Sequence, residues 1–245
     1  SLAYRNSGEL ERSQEVLEEA SAMWRNTQNL PMLIDNLSRY AVGHFLLGHY
    51  EQAIASSEEA AQISESIGNI SGLANSRLIV GHVFLEEGRP DKAIEAMGEA
   101  IFQGEQVGHL TVQIGTRADL AWLYGMMGEI EHGIVLAEVA WARSEEHNNL
   151  LRSWPMAVLA RRLILTGDLA EAEKAIGESY QTYKERNEML LAPIYVPLAD
   201  AELALARCEY ERAASVTAKL LSYLHDYQIR PFRADAHYLQ CHALL

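Results

Sequence analysis

A glycine returns along this chain at an almost fixed interval: Gly8, Gly48, Gly88, Gly128 and Gly167, with Cys208 in the next slot. Successive steps are 40, 40, 40, 39 and 41 residues. The residues that follow repeat as well, as in Gly48-His-Tyr-Glu-Gln-Ala53, Gly88-Arg-Pro-Asp-Lys-Ala93, Gly167-Asp-Leu-Ala-Glu-Ala172 and Cys208-Glu-Tyr-Glu-Arg-Ala213. A fixed period of this size predicts stacked units, each too small to bury its own apolar face. Length alone, at 245 residues, suits one or two globular domains, and the repeat overrides that reading.

Small residues keep register with the glycine. Seven before it stand Ala41, Gly81, Ala121, Ala160 and Ala201; five after it stand Ser13, Ala53, Ala93, Gly133, Ala172 and Ala213. Twelve after it come Ala20, Ala60, Ala100, Ala140 and Ser179, with Leu220 the exception. This places two small residues on each of two helices, which lets antiparallel backbones approach closely around a tight turn. The larger His44, Phe84, Tyr124 and Leu163, four before the turn, supply the ridge that packs into the next helix. Glycine ends the first helix in the left-handed conformation, and Pro90 fits the first turn of a second helix. Twenty residues on, Gly68, Gly108, Asn148 and Asn187 predict a second stop.

The predicted fold is all-α: a right-handed α-α superhelix of helical hairpins in one domain. Its repeats are read at 1–29, 30–69, 70–109, 110–149, 150–189 and 190–229, with 230–245 a partial unit. The pattern of Ala or Gly, an aromatic or large apolar residue three on, then Gly, Tyr and Ala resembles the tetratricopeptide repeat family over essentially the whole chain. Units there run to about 34 residues, and the excess here lengthens the second helix, as in Ala60-Ala-Gln-Ile-Ser-Glu-Ser-Ile-Gly68. Long units of this kind are similar to those of the maltose-regulon activator's sensor domain, related signal-transducing ATPases, signalling-peptide receptors and some eukaryotic adaptors. The resemblance implies a binding or sensing surface without catalysis.

Irregular positions carry their own expectations. Gly125 and Gly133 inside helices suggest either a looser point of the stack or a place where a ligand approaches the backbone. Pro197 marks a kink or a late helix start. Cys208 and Cys241 read as small core residues, and two cysteines make no disulfide framework, which fits a reducing compartment. A net charge of −14 opposes nucleic-acid binding. No apolar run nears the ~18 residues needed to span a bilayer, and no signal peptide opens the sequence. The expected setting is cytoplasmic, and the chain reads as a segment of a longer intracellular protein.

No catalytic motif is present, and no metal or cofactor is expected: GxGxxG, GxxxxGK[ST], GxSxG, HExxH and CxxC are all missing. The nine histidines form no metal-binding i, i+4 pair beside a carboxylate. What remains is the inner face that the family resemblance implies, at positions 13, 10, 6 and 3 before the glycine. Transferred to this sequence, those are Asp35, Ser38, Val42 and Phe45; Asn75, Leu78, His82 and Leu85; and Gly115, Ala118, Trp122 and Gly125. Trp154, Ala157, Arg161 and Ile164 follow, then Tyr195, Leu198, Glu202 and Leu205. Arg39, Arg77, Arg117 and Asp119 flank the same face.

The candidate partner-binding set is Asp35, Arg39, Asn75, His82, Asp119, Trp122, Trp154, Arg161, Tyr195 and Glu202. Aromatic and arginine side chains are favoured at recognition sites because they give contact area at modest entropy cost; packing between units is the competing reading for Trp122 and Trp154. A basic or amphipathic protein or peptide partner is expected. Two alternatives stay open: a small-ligand sensor, with a sugar or metabolite against Trp122 and Trp154, and self-association through terminal repeats.

Overall fold

A computed structural model describes residues 4, 7–147, 151–186 and 192–245, the side chains of 185 and 186 excepted. Asn148 and Asn187, two of the expected stops, lie outside the described residues. Among those described there are twelve α-helices and no strand. They are α1 (Leu10–Asn26), α2 (Leu30–Leu47), α3 (Tyr50–Ile67), α4 (Ile70–Glu86), α5 (Pro90–Gln106) and α6 (Leu110–Met126). Then follow α7 (Ile130–Glu146), α8 (Ser153–Thr166), α9 (Leu169–Arg186), α10 (Ala192–Ala206), α11 (Tyr210–Asp226) and α12 (Arg233–Leu244). No described helix is long and apolar enough to cross a membrane.

The turns form for the reason the sequence suggests. Gly48, Gly88, Gly128 and Gly167 all sit at positive φ, between 70° and 88°. At the Gly48 turn the His49 N–H donates to His44 O at 2.8 Å, closing the last turn of α2. Cys208 adopts the same conformation at φ 60°, and Glu209 N–H makes the same bond to Ala204 O. The topology therefore holds where a side chain is strained. Gly68 and Gly108 take the second stop, while Gln28 and Gln228 fill the equivalent slots at φ 54° and 56°. First helices are also capped at their starts: Asn29 accepts from Met32 N–H, and Asn69 from Gly72 N–H at 3.0 Å. Pro90 opens α5, and Pro197 lies inside α10 without ending it.

Two compact units result: Ser1–Gln113 with Asp226–Pro231, and Ile114–His225 with Phe232–Leu245. In the first, consecutive helices from α1 to α5 pack pairwise and α2 also packs on α4. The small residues lie at those seams, with Ala41, Ala53, Ala60, Ala93 and Ala100 all fully buried. Leu33, Leu37 and Ala60 form one cluster, joined by Trp24 and Ile63. The segment Asp226–Pro231 belongs to this unit, where Arg230 N–H donates to Leu46 O at 2.8 Å. In the second unit α7, α8, α9 and α10 pack in sequence, and the first helices stack directly, α8 on α10 and α10 on α12. Ala121, Ala140, Ala160, Ala172, Ala201 and Ala213 are again fully buried.

Both cysteines depart from expectation. Cys208 and Cys241 are exposed, not core: Cys208 occupies the turn, and Cys241 lies near the end of α12.

Candidate functional site

The inner-face positions behave differently in the two units. In the first, only Phe45 is buried among Asp35, Ser38, Val42, Phe45, Asn75, Leu78, His82 and Leu85. Asp35 and Arg39 are exposed and bridge each other at 2.9 Å, one helical turn apart. Asn75 Nδ2 lies 3.3 Å from His109 Nε2, and His82 stacks on Phe45 with ring centroids 5.4 Å apart. Arg77 is engaged by Glu99 at 2.8 Å. The face thus alternates polar groups with half-exposed aliphatic ones.

In the second unit only Ile164, Glu202 and Leu205 of the twelve corresponding positions escape burial. Trp122, Trp154, Tyr195 and Arg161 are 3%, 3%, 4% and 6% exposed. The side chains meet one another: Tyr195 stacks on Trp154 at 5.1 Å and meets Trp122 edge-on at 5.3 Å. The Tyr195 hydroxyl donates to Asp119 at 2.9 Å, and Asp119 is 1% exposed. Arg161 lies over the Trp122 ring, its Cζ 3.2 Å from the centroid, and its Nε donates to Glu202 at 2.7 Å. A second bond joins Arg161 Nη2 to the other Glu202 oxygen, so the pair is bidentate.

Phe232 closes this cluster, edge-on to Tyr195 at 5.3 Å and to Trp122 at 6.5 Å. It sits at φ 66°, immediately before α12. One turn later Asp235 feels Arg161 and Glu202: burial raises its pKa, Arg161 opposes that, and Glu202 adds to it. Two donors in the cluster, Arg161 Nη1 and Trp154 Nε1, are buried without a hydrogen-bond partner.

Gly115, Gly125 and Gly133 explain how this packing fits. A Cβ at Gly115 would stand 2.8 Å from Trp154 Cζ3, so the benzo edge of the ring comes up close to the α6 backbone. A Cβ at Gly125 would fall on the Arg162 guanidinium, and one at Gly133 would stand 2.9 Å from Ala121 O and 3.3 Å from Arg162 Cδ. The two glycines therefore make neither a loose joint nor a ligand approach; they admit a side chain of the protein itself. Arg162 is 3% exposed, and burial, reinforced by Arg161, pulls its pKa down to about 10 against the pull of Glu202. Sequence reasoning missed Arg162 because its offset from the glycine is not an inner-face offset. The signal was present in the two helix-interior glycines that face it.

One pair was invisible in the sequence. His44 and His49 are five apart, a spacing that no helix brings together, but the Gly48 turn reverses the chain between them. Their Nδ1 atoms approach to 3.4 Å, and Tyr40 packs edge-on to His44 at 4.3 Å. His44 is 9% exposed, and burial, then His49, lower its pKa to about 4. Among the described residues no group of three His, Cys, Asp or Glu side chains is placed to hold a metal ion.

Neither a scan against protein-family models nor a search of curated proteins returns a match. Solved structures do match. BtubC (BKLC) from P. vanneervenii superposes with a TM-score of 0.61 at 14% identity, over 92% of this chain and 91% of its own. A Rap protein complexed with competence and sporulation factor gives 0.64 at 14% identity, over 97% and 70%. A tetratricopeptide repeat protein from Parabacteroides merdae aligns over 100% and 96% at 15% identity, with a TM-score of 0.47. The repeat glycines, the buried alanine seams and the likenesses to BtubC and the Rap protein agree on the fold, which is all-α and built of stacked helical hairpins.

Proposed function

We propose that the chain is a non-catalytic protein-binding scaffold whose first unit holds a partner segment on its first-helix face, around Asp35, Arg39, Asn75 and His82. The observation that carries this reading is the exposure contrast: of the eight inner-face positions of α2 and α4 only Phe45 is buried, while nine of the twelve of α6, α8 and α10 are. Charge supports it. The residues of the first unit include 17 Asp and Glu against 8 Lys and Arg, so a basic or amphipathic segment is attracted and salt weakens the complex. The structurally similar Rap protein was crystallised with competence and sporulation factor, in keeping with binding by this type of fold. In this reading the chain serves as the scaffolding or sensing part of a cytoplasmic regulatory protein. The small-ligand alternative has less support, because Trp122 and Trp154 are already stacked against Arg161 and Tyr195.

A photo-cross-linking residue at position 35 or 82 tests the assignment, with the exposed position 177 on α9 as control. Partner capture from 35 and 82 but not 177, abolished by Asp35→Lys with His82→Glu at unchanged melting temperature, is the expected result. Equal capture from all three positions, or capture that survives the double substitution, would remove the first-unit face from consideration.

A further inference from the structure

The second unit carries a recognition surface that is already occupied. An arginine over an indole, two stacked aromatics and a buried carboxylate–tyrosine bond line the inner face of α6, α8 and α10. The occupant is the start of α12, which sets Phe232 edge-on against Trp122 and Tyr195 and brings Asp235, one turn on, within electrostatic reach of Arg161.

Three observations mark this occupant as imperfectly held. Phe232 adopts left-handed backbone without being glycine, a conformation that a bulky residue keeps only when its surroundings enforce it. Of the twelve residues of α12 only Ala236, Leu239 and Ala243 are buried, two of them alanines, whereas α10 buries ten of fifteen. The occupant also leaves Arg161 Nη1 and Trp154 Nε1 unsatisfied, although a buried donor without a partner is costly. A segment that supplied an acceptor to either donor would gain what Phe232 and Asp235 do not provide.

We propose that residues 232–239 are a displaceable internal ligand, and that the inner face of the second unit takes a peptide segment that presents an aromatic side chain where Phe232 now sits. Displacing α12 opens the platform of Trp122, Trp154, Tyr195 and Arg161; the matching partner closes it again. This site is separate from the first-unit face and does not depend on it.

The test uses the full chain and a fluorescein-labelled peptide of residues 229–239. Phe232→Ala in the chain weakens the internal occupant, so the peptide binds that variant at least about tenfold more tightly than the unaltered chain, as a population shift requires. A peptide carrying Phe232→Ala fails to bind either. Hydrogen exchange on the unaltered chain gives a second readout that needs no variant. Amides of Arg233–Leu244 exchange ahead of those of Ala192–Ala206, and faster still with excess peptide. Equal peptide affinities, no binding to either chain, or exchange of α12 in step with α10 and unmoved by peptide would each overturn the proposal. If Phe232→Ala does not fold, the exchange experiment alone decides.

Discussion

His82 and Trp122 hold the same register, six residues before the turn glycine of consecutive repeats, yet their surroundings are opposite. His82 is half exposed on α4 beside Phe45, whereas Trp122 is 3% exposed beneath Arg161 with Tyr195 against its edge. Register fixes the direction in which a side chain leaves its helix, but not what it meets there. In the first unit polar groups alternate with aliphatic ones, and of the eight inner positions only Phe45 is buried. In the second, three aromatics and two arginines fill the space. The glycines at 115, 125 and 133 let them lie against the backbone.

The largest effects should therefore fall in the second unit. Trp122→Ala removes a buried indole and is expected to cost about 3–5 kcal/mol of stability in denaturant titration. Arg161→Met leaves Glu202 without its bidentate partner and should cost about 3 kcal/mol, in line with breaking a largely buried pair. Loss of binding without loss of stability in either variant would mean that these residues form an open site.

Next come the glycines. Gly133→Ala forces a methyl group to 2.9 Å from a backbone oxygen and should destabilise by about 1–3 kcal/mol, as overpacking does. Gly98→Ala on exposed α5 meets nothing within 4 Å and should stabilise by about 0.5–1 kcal/mol through helix propensity. If both changes act in the same direction, the close fit around Arg162 is wrong. Cys208→Gly relieves left-handed strain at a repeat turn and should raise stability by up to about 1 kcal/mol in the same assay.

Acid should act on the first unit through the His44–His49 pair. The folded pKa of His44 lies near 4, below the 6.5 of a free histidine, so the unfolded chain takes up the proton first. Its contribution is full above pH 6.5 and is lost as pH falls from there towards 4. Substituting His44→Gln should flatten that part of the stability profile, and a profile unchanged by it would remove the pair as the cause.

Much of the hairpin architecture was legible because one residue type per turn has a conformational reason to be there. The repeat glycines, the alanine seams and Pro90 translate directly into positive φ, close helix contact and a helix start. Even Cys208 did not break the pattern, since the bonding around it decides the turn. The inner face was only half legible. Its offsets named Trp122, Trp154, Arg161 and Tyr195, which do converge, but the sequence could not show that they converge on each other. That outcome depends on Phe232, which lies outside every inner-face offset, and on Arg162, which only the unexplained Gly125 and Gly133 betrayed. The His44–His49 contact was hidden because helical spacing does not apply across a turn.

The contrast between the two faces is tested most directly by measuring the unfolding free energies of His82→Ala and Trp122→Ala side by side. An open first face and a filled second one predict a loss of about 1 kcal/mol or less for His82→Ala and about 3–5 kcal/mol for Trp122→Ala. Equal losses at these two matched positions would contradict the account.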